Sequence, residues 1–126
     1  MNCLVVEDCD VNILVIKSFL KKFDKNLVIE FAENGEVAVE KFLKTDFDVI
    51  LMDINMPVMD GITATRIIKK VNPDVNVVAV TAVELDYLKS KNSLSLFNHI
   101  MFKPLRYEHF LSTMKNMFKD EEEVSV

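Results

Sequence analysis

The chain has 126 residues and a formal net charge of −5, and 50% of its residues are hydrophobic. This length fits one domain with one ordinary core. The acidic balance argues against a nucleic-acid partner, which needs clustered lysine and arginine. No apolar run is long enough for membrane insertion and the N-terminus lacks the pattern of a secretory signal, so a cytoplasmic protein is expected.

Apolar segments of strand length alternate with segments of helical periodicity along the chain. This pattern predicts five strands, at residues 3–6, 27–31, 48–52, 75–80 and 100–102. It also predicts five helices, at residues 11–23, 36–43, 62–71, 84–96 and 107–118. Asp10 is expected to cap the first helix. The apolar residues at helical spacing in that helix are Val11, Leu14, Val15, Phe19, Leu20 and Phe23.

This alternation is typical of an α/β domain with a doubly wound sheet. Strands that are apolar without alternation favour a five-stranded parallel sheet that helices cover on both faces. The length and the number of units predict the flavodoxin-like strand order 2-1-3-4-5, with ligands beyond the carboxyl ends of the strands. The domain is expected to span residues 1–119, followed by an acidic tail at residues 120–126.

Polar residues whose side chains can bind ions or take part in a reaction lie where the predicted strands end, namely Glu7, Asp8, Asp53, Thr81 and Lys103. Because the carboxyl ends of parallel strands share one edge of a sheet, we expect these side chains to converge. Three carboxylates in one cleft raise each other's pKa values, and a hard divalent cation such as Mg²⁺ removes that conflict. For Asp10 and Asp60 we favour the simpler interpretation of helix capping.

Four short motifs make the sequence similar to one known family. They are Val5-Val6-Glu7-Asp8, the segment VILMDINMPVMDG at residues 49–61, Val80-Thr81-Ala82 and Lys103-Pro104. In this order they resemble the receiver domains of response regulators across essentially the whole chain, most of all those of hybrid histidine kinases or of stand-alone regulators. The resemblance implies a phosphoprotein of two-component or phosphorelay signal transduction.

The resemblance also implies a metal site. Asp53 would be the phosphorylated residue. Asp8 and Asp53 would bind Mg²⁺ through their side chains, with Mn²⁺ as an alternative ion, and Asn55 would bind it through its backbone carbonyl. Glu7 would act through a coordinated water.

Further positions follow from the same resemblance. Thr81 and Lys103 would contact the phosphoryl group, and the bond between Lys103 and Pro104 would be cis. Many family members carry an aromatic switch residue where this chain has Ile100, which puts the aromatic part of the switch in question. The segment 92–98 lacks the glycine-bearing turn that usually precedes the fifth strand, so an unusual loop is expected there.

The resemblance also implies that Asn55 and Val83, which stand two residues after Asp53 and Thr81, border the approach of water to the phosphoryl group. Asn55 can orient a water, whereas the apolar branches of Val83 partly exclude one, which predicts slower self-dephosphorylation than with a polar residue at position 83. The phosphodonor would be a histidine kinase or a histidine phosphotransfer protein. A downstream protein partner would bind the face formed by the fourth helix, fifth strand and fifth helix.

Two alternative functions belong to other classes. The Asp53-Ile54-Asn55 segment distantly resembles the Asp-x-Asp motif of aspartate-based phosphohydrolases, but it follows the third strand rather than the first. A receiver-fold interaction module that is not phosphorylated would be expected to have lost an acid, the threonine or the lysine. The sequence therefore favours a phospho-acceptor, with limited self-catalysed phosphorylation and dephosphorylation rather than enzymatic turnover.

Overall fold

A computed structural model describes residues 1–118. Its strands are β1 (Asn2–Val6), β2 (Val28–Ala32), β3 (Val49–Met52), β4 (Asn76–Thr81) and β5 (His99–Phe102). Its helices are α1 (Asp10–Phe23), α2 (Gly35–Lys44), α3 (Gly61–Val71), α4 (Leu85–Ser90) and α5 (Tyr107–Met117). The predicted acidic tail at residues 120–126, and the predicted domain end at residue 119, lie outside the described residues.

The five strands form one parallel sheet in the order β2-β1-β3-β4-β5, which confirms the predicted fold. Alternate strand residues enter two buried layers, because side chains alternate between the faces of a sheet. One layer packs under α2, α3 and α4 and includes Leu4, Val6, Ile50, Met52, Ala38, Ile68 and Leu88. The other packs under α1 and α5 and includes Cys3, Val5, Val49, Leu51, Ile16, Leu20 and Phe110.

Helix α1 differs from its prediction in two respects. Asp10 is its first helical residue rather than its cap, and the preceding Cys9 makes no side-chain capping bond. Ile16 and Leu20 are buried and Phe19 and Phe23 are partly buried against the same core layer, whereas Val11 and Leu14 are 67% and 66% exposed. The apolar residues of α1 form two stripes about half a turn apart, and only the stripe with Ile16 and Leu20 faces the sheet.

The predicted fourth helix, at residues 84–96, is divided in the structure. Helix α4 ends at Ser90, and a separate 3₁₀ turn covers Leu94–Leu96. Asn92 has a φ of 52°, a left-handed conformation that ends helices and that asparagine tolerates better than most residues. The buried Ser93 hydroxyl donates to the Leu88 carbonyl at 2.8 Å and closes the helix end. The unusual loop expected at residues 92–98 is therefore a break between α4 and the 3₁₀ turn.

No helix among residues 1–118 is both long and apolar enough to cross a bilayer.

Candidate functional site

The ends of β1 and β3 place three carboxylates together. Val6 and Met52 are register partners, so Glu7 and Asp53 leave neighbouring strands at the same level. The Asp53 amide donates to the Val6 carbonyl at 3.0 Å, and the Glu7 amide donates to the Ala32 carbonyl at 3.0 Å. Carboxylate oxygens of Glu7, Asp8 and Asp53 lie within 4.8 Å of one another, which confirms that these acids converge.

Lys103 is the cation of this cluster. Its ammonium Nζ lies 2.6 Å from Glu7 Oε1 and 3.4 Å from Asp53 Oδ2. The Lys103 backbone amide donates to the Thr81 carbonyl at 2.8 Å, so the ends of β4 and β5 are joined beside the site. The peptide bond between Lys103 and Pro104 is cis.

The pKa values of the neighbouring acids Asp53 and Glu7 are shifted in opposite directions. Burial and the adjacent Glu7 raise the pKa of Asp53 to about 7, although Lys103 opposes this. Burial also acts to raise the pKa of Glu7, but hydrogen bonds with Asp53 and Lys103 outweigh burial and lower that pKa. Burial acts to lower the pKa of Lys103, and the two acids reverse this and raise it. The prediction that repulsion raises the pKa of each acid is wrong for Glu7, because hydrogen bonds with Asp53 and Lys103 favour its charged form.

The backbone around Asp53 is tightly packed. Its Oδ1 accepts a hydrogen bond from the Ile54 amide at 2.8 Å. Gly61 approaches so closely that a Cβ atom there would collide with the Asp53 carbonyl oxygen. The Asp60 carboxylate accepts from the Thr63 amide at 2.8 Å and caps α3, as predicted. The motif in the sequence includes Gly61, but nothing in the sequence indicates this backbone contact.

Thr81, Val83 and Ile100 lie on the β4–β5 side of the site. Thr81 is buried, and its hydroxyl oxygen accepts from the Val83 amide at 3.0 Å, which leaves the hydroxyl hydrogen for another acceptor. Val83 and Ile100 are partly buried and pack against the core layer under α2, α3 and α4. Asn55 is exposed two residues after Asp53.

The cluster has the composition of a site for a hard divalent cation. Three carboxylates beside one ammonium carry a formal charge of −2, which one divalent ion neutralises. Oxygen ligands on an open sheet edge suit Mg²⁺, which binds through one or two carboxylates and retains several waters. The residues present therefore fit this ion.

The family model of the response regulator receiver domain matches residues 3–115. The chain therefore belongs to the family that its motifs predict, whose members are phospho-acceptors of two-component systems. Hybrid signal transduction histidine kinase M of Dictyostelium discoideum is 35% identical to it over 121 residues. That match covers 90% of this chain and 5% of the kinase, so the chain spans a small part of this relative.

Solved structures have the same fold. The receiver domain of the sensor histidine kinase PA1611 from Pseudomonas aeruginosa, with magnesium coordinated in its active-site cleft, superposes with a TM-score of 0.83 at 29% identity. That match covers 94% of this chain and 97% of the other. The response regulator TrrA from Thermotoga maritima, in complex with Mg²⁺ and BeF, gives a TM-score of 0.80 at 27% identity, over 92% of this chain and 97% of that one.

Proposed function

We propose that this chain accepts a phosphoryl group on Asp53 from a phosphohistidine of a histidine kinase or histidine phosphotransfer protein, and then changes conformation. The observation that carries this proposal is the convergence of Asp53 with two further acids and Lys103 at one edge of the sheet. The family and the two receiver structures that contain magnesium support it. Such a donor acts in the cytoplasm, where we expect this chain to work.

Mg²⁺ would be held by the side chains of Asp8 and Asp53 and by the backbone carbonyl of Asn55, with Glu7 acting through a water. Mn²⁺ takes similar oxygen ligands and is expected to substitute. When bound, the ion offsets the negative charge of the phosphoryl group during transfer.

The residues of the chain have separate tasks. A carboxylate oxygen of Asp53 forms the new bond to phosphorus while the bond from phosphorus to the partner's imidazole nitrogen breaks, and that electron pair stays on the imidazole. Lys103 already contacts Asp53 and would pair with a phosphoryl oxygen. The Thr81 hydroxyl would donate to another. These groups favour transfer and later hydrolysis on the chain itself, which is the limited sense in which the chain is catalytic.

The surface offers distinct places for two protein partners. Val11 and Leu14 form an exposed stripe on α1, and Val11 lines a cavity together with Val15, Lys103 and Pro104, so part of this stripe lies beside Lys103 of the site. A phosphodonor must approach Asp53 directly, and this stripe would receive it. On the α4–β5–α5 face the exposed apolar side chains are Leu85, Tyr87 and Phe102, and we assign this face to a downstream protein.

Labelling with acetyl phosphate tests this function. We expect Mg²⁺-dependent, hydroxylamine-sensitive labelling that excess chelator stops and that Asp53→Asn abolishes. Asp60→Asn is the matched control, since it makes the same substitution in the same loop and asparagine also caps helices. Full labelling of Asp53→Asn, or undiminished labelling in chelator, would contradict the proposal. Repeated turnover of small phosphoesters would favour a phosphohydrolase instead.

A further inference from the structure

The loop between β3 and α3 carries much of the proposed metal site. It begins at Asp53, and its base is closed by a 2.8 Å hydrogen bond from the Gly61 amide to the Ile54 carbonyl. The Ile54 amide in turn donates to Asp53 Oδ1 at 2.8 Å. Any displacement of this loop therefore alters the backbone groups that surround the Asp53 carboxylate.

The tip of this loop is strained. Val58 has a φ of 71°, which branched side chains rarely adopt. The Met59 amide donates to the Pro57 carbonyl at 2.8 Å, so residues 57–59 form a three-residue turn of an uncommon type. Val58 is 75% exposed, so packing of its side chain does not hold the turn. Strain of this kind persists only when surrounding structure enforces it.

Gly35, the first residue of α2, holds the turn in this conformation. The Gly35 amide donates to the Met59 carbonyl at 3.0 Å. A Cβ atom at Gly35 would lie 2.7 Å from the Met59 carbonyl oxygen and 2.9 Å from the Asp60 carbonyl oxygen. It would also lie 3.0 Å from the Cβ of Ala64 on α3. Only glycine therefore lets α2 approach the loop this closely, and any side chain there must displace loop backbone.

We propose that Gly35 is a positioning residue for the metal site. By holding the Met59 carbonyl, it keeps the strained turn in place and thereby sets the backbone of Ile54 and Asn55 beside Asp53. Gly35 acts through the loop and touches neither the ion nor the phosphoryl group. This inference rests on the proposed function, because it concerns the affinity of the same site for Mg²⁺.

Magnesium titration of Gly35→Ala tests the proposal, with affinity measured by calorimetry and folding by the melting temperature. We expect Mg²⁺ to bind about tenfold more weakly, as is usual when a group that orients ligands is lost. Glu40→Gly is the control for destabilisation, since it weakens the interior of the same helix at a position exposed to solvent. It should lower the melting temperature and leave Mg²⁺ affinity unchanged. Equal affinity of Gly35→Ala and the unmutated protein would overturn the proposal.

A rescue variant distinguishes an effect transmitted through the turn at residues 57–59 from a general loss of stability. Glycine at position 58 accepts positive φ without strain, so Val58→Gly should let the turn absorb the displaced Met59 carbonyl. The double variant Gly35→Ala with Val58→Gly should regain most of the lost affinity. A double variant as weak as Gly35→Ala would overturn a route through this turn.

Hydrogen exchange of the unmutated protein tests the same coupling even if Gly35→Ala does not fold. Coupling between two sites is reciprocal, so saturating Mg²⁺ should slow exchange of the Gly35 amide. The Thr45 amide, which closes the opposite end of α2, is the internal control and should change far less. Equal slowing at both ends would overturn the proposal. Absence of Mg²⁺ binding by the unmutated protein would instead overturn the proposed function.

Discussion

Two segments border the same site but are held in different ways. The β3–α3 loop is fixed by backbone hydrogen bonds, from Gly61 to Ile54 and from Gly35 to Met59, at glycines whose missing side chains permit close contact. The β4–β5 segment makes one backbone hydrogen bond to a strand, from the Asn98 amide to the Val77 carbonyl, and its other hydrogen bonds to the rest of the described domain use side chains. Backbone contacts at glycine allow little displacement, whereas long side chains can follow a segment that moves.

The side chains that hold the β4–β5 segment come largely from α3. Arg66 Nη2 donates to the Lys91 carbonyl at 2.6 Å, and Lys69 Nζ donates to Asn98 Oδ1 at 2.8 Å. Asn98 Oδ1 also accepts from the Val77 amide at 2.9 Å. We infer that the first segment fixes the geometry of phosphoryl uptake and that the second, with the short helix α4, carries the response.

The largest effect is expected in the fixed loop. Gly61→Ala places a Cβ against the Asp53 carbonyl oxygen, and overpacking against backbone should lower the free energy of unfolding by about 3 kcal/mol. Urea denaturation measures this loss. Lys70→Ala, at an exposed position of the same helix, should change stability by less than about 0.5 kcal/mol. A loss below about 1 kcal/mol in Gly61→Ala would show that the loop yields more readily than its contacts indicate.

The second prediction separates uptake from response. Thr81→Ala keeps every carboxylate and Lys103, so it should still accept phosphate. Without the hydroxyl, the phosphoryl group loses its link to β4, and most of the amide chemical-shift change on the α4–β5–α5 face should disappear. Thr113→Ala, which removes another buried threonine hydroxyl away from the site, should retain the full response. Shifts in Thr81→Ala as large as in the unmutated protein would exclude this route.

A third variant tests the side-chain support of the β4–β5 segment. Asn98→Ala removes the acceptor of both Lys69 and Val77 and should cost about 1–2 kcal/mol of stability. Magnesium affinity should stay unchanged, in contrast to Gly35→Ala, because Asn98 holds only the second segment. A weakened Mg²⁺ affinity in Asn98→Ala would remove the distinction between the two segments.

The smallest expected effect concerns the lifetime of the phosphoryl group. Val83 is held near Thr81 by its amide, and its apolar side chain should keep water from the in-line position. Val83→Gln should shorten the lifetime about threefold, equivalent to about 0.7 kcal/mol in the barrier to hydrolysis. Val83→Ile is the apolar control and should decay at the original rate. An equal or longer lifetime in Val83→Gln would show that Val83 does not control the water.

The strand ends could be predicted from sequence because a parallel sheet brings them to one edge whatever the details of packing. This rule correctly predicted that Glu7, Asp8, Asp53 and Lys103 lie close together. It predicted neither the ion pair of Lys103 with Glu7 nor the resulting pKa directions, because these depend on atomic distances.

Contacts between distant residues and the orientation of helices could not be predicted in the same way. The contact of Gly35 with Met59 joins the first turn of α2 to the β3–α3 loop, and a single glycine gives no signal of its partner. The spacing of Val11 and Leu14 fits a helix but does not say which stripe faces the sheet. The break at Asn92 depends on one backbone angle, which the helical periodicity of residues 84–96 does not indicate.

We infer that Asp53, among three neighbouring carboxylates, takes the phosphoryl group. The most direct measurement is to label the protein with acetyl phosphate and Mg²⁺, reduce the acyl phosphate with borohydride, and locate the reduced residue by peptide mass spectrometry. We expect reduction at Asp53 alone. Reduction at Glu7 or Asp8, with Asp53 unchanged, would contradict it.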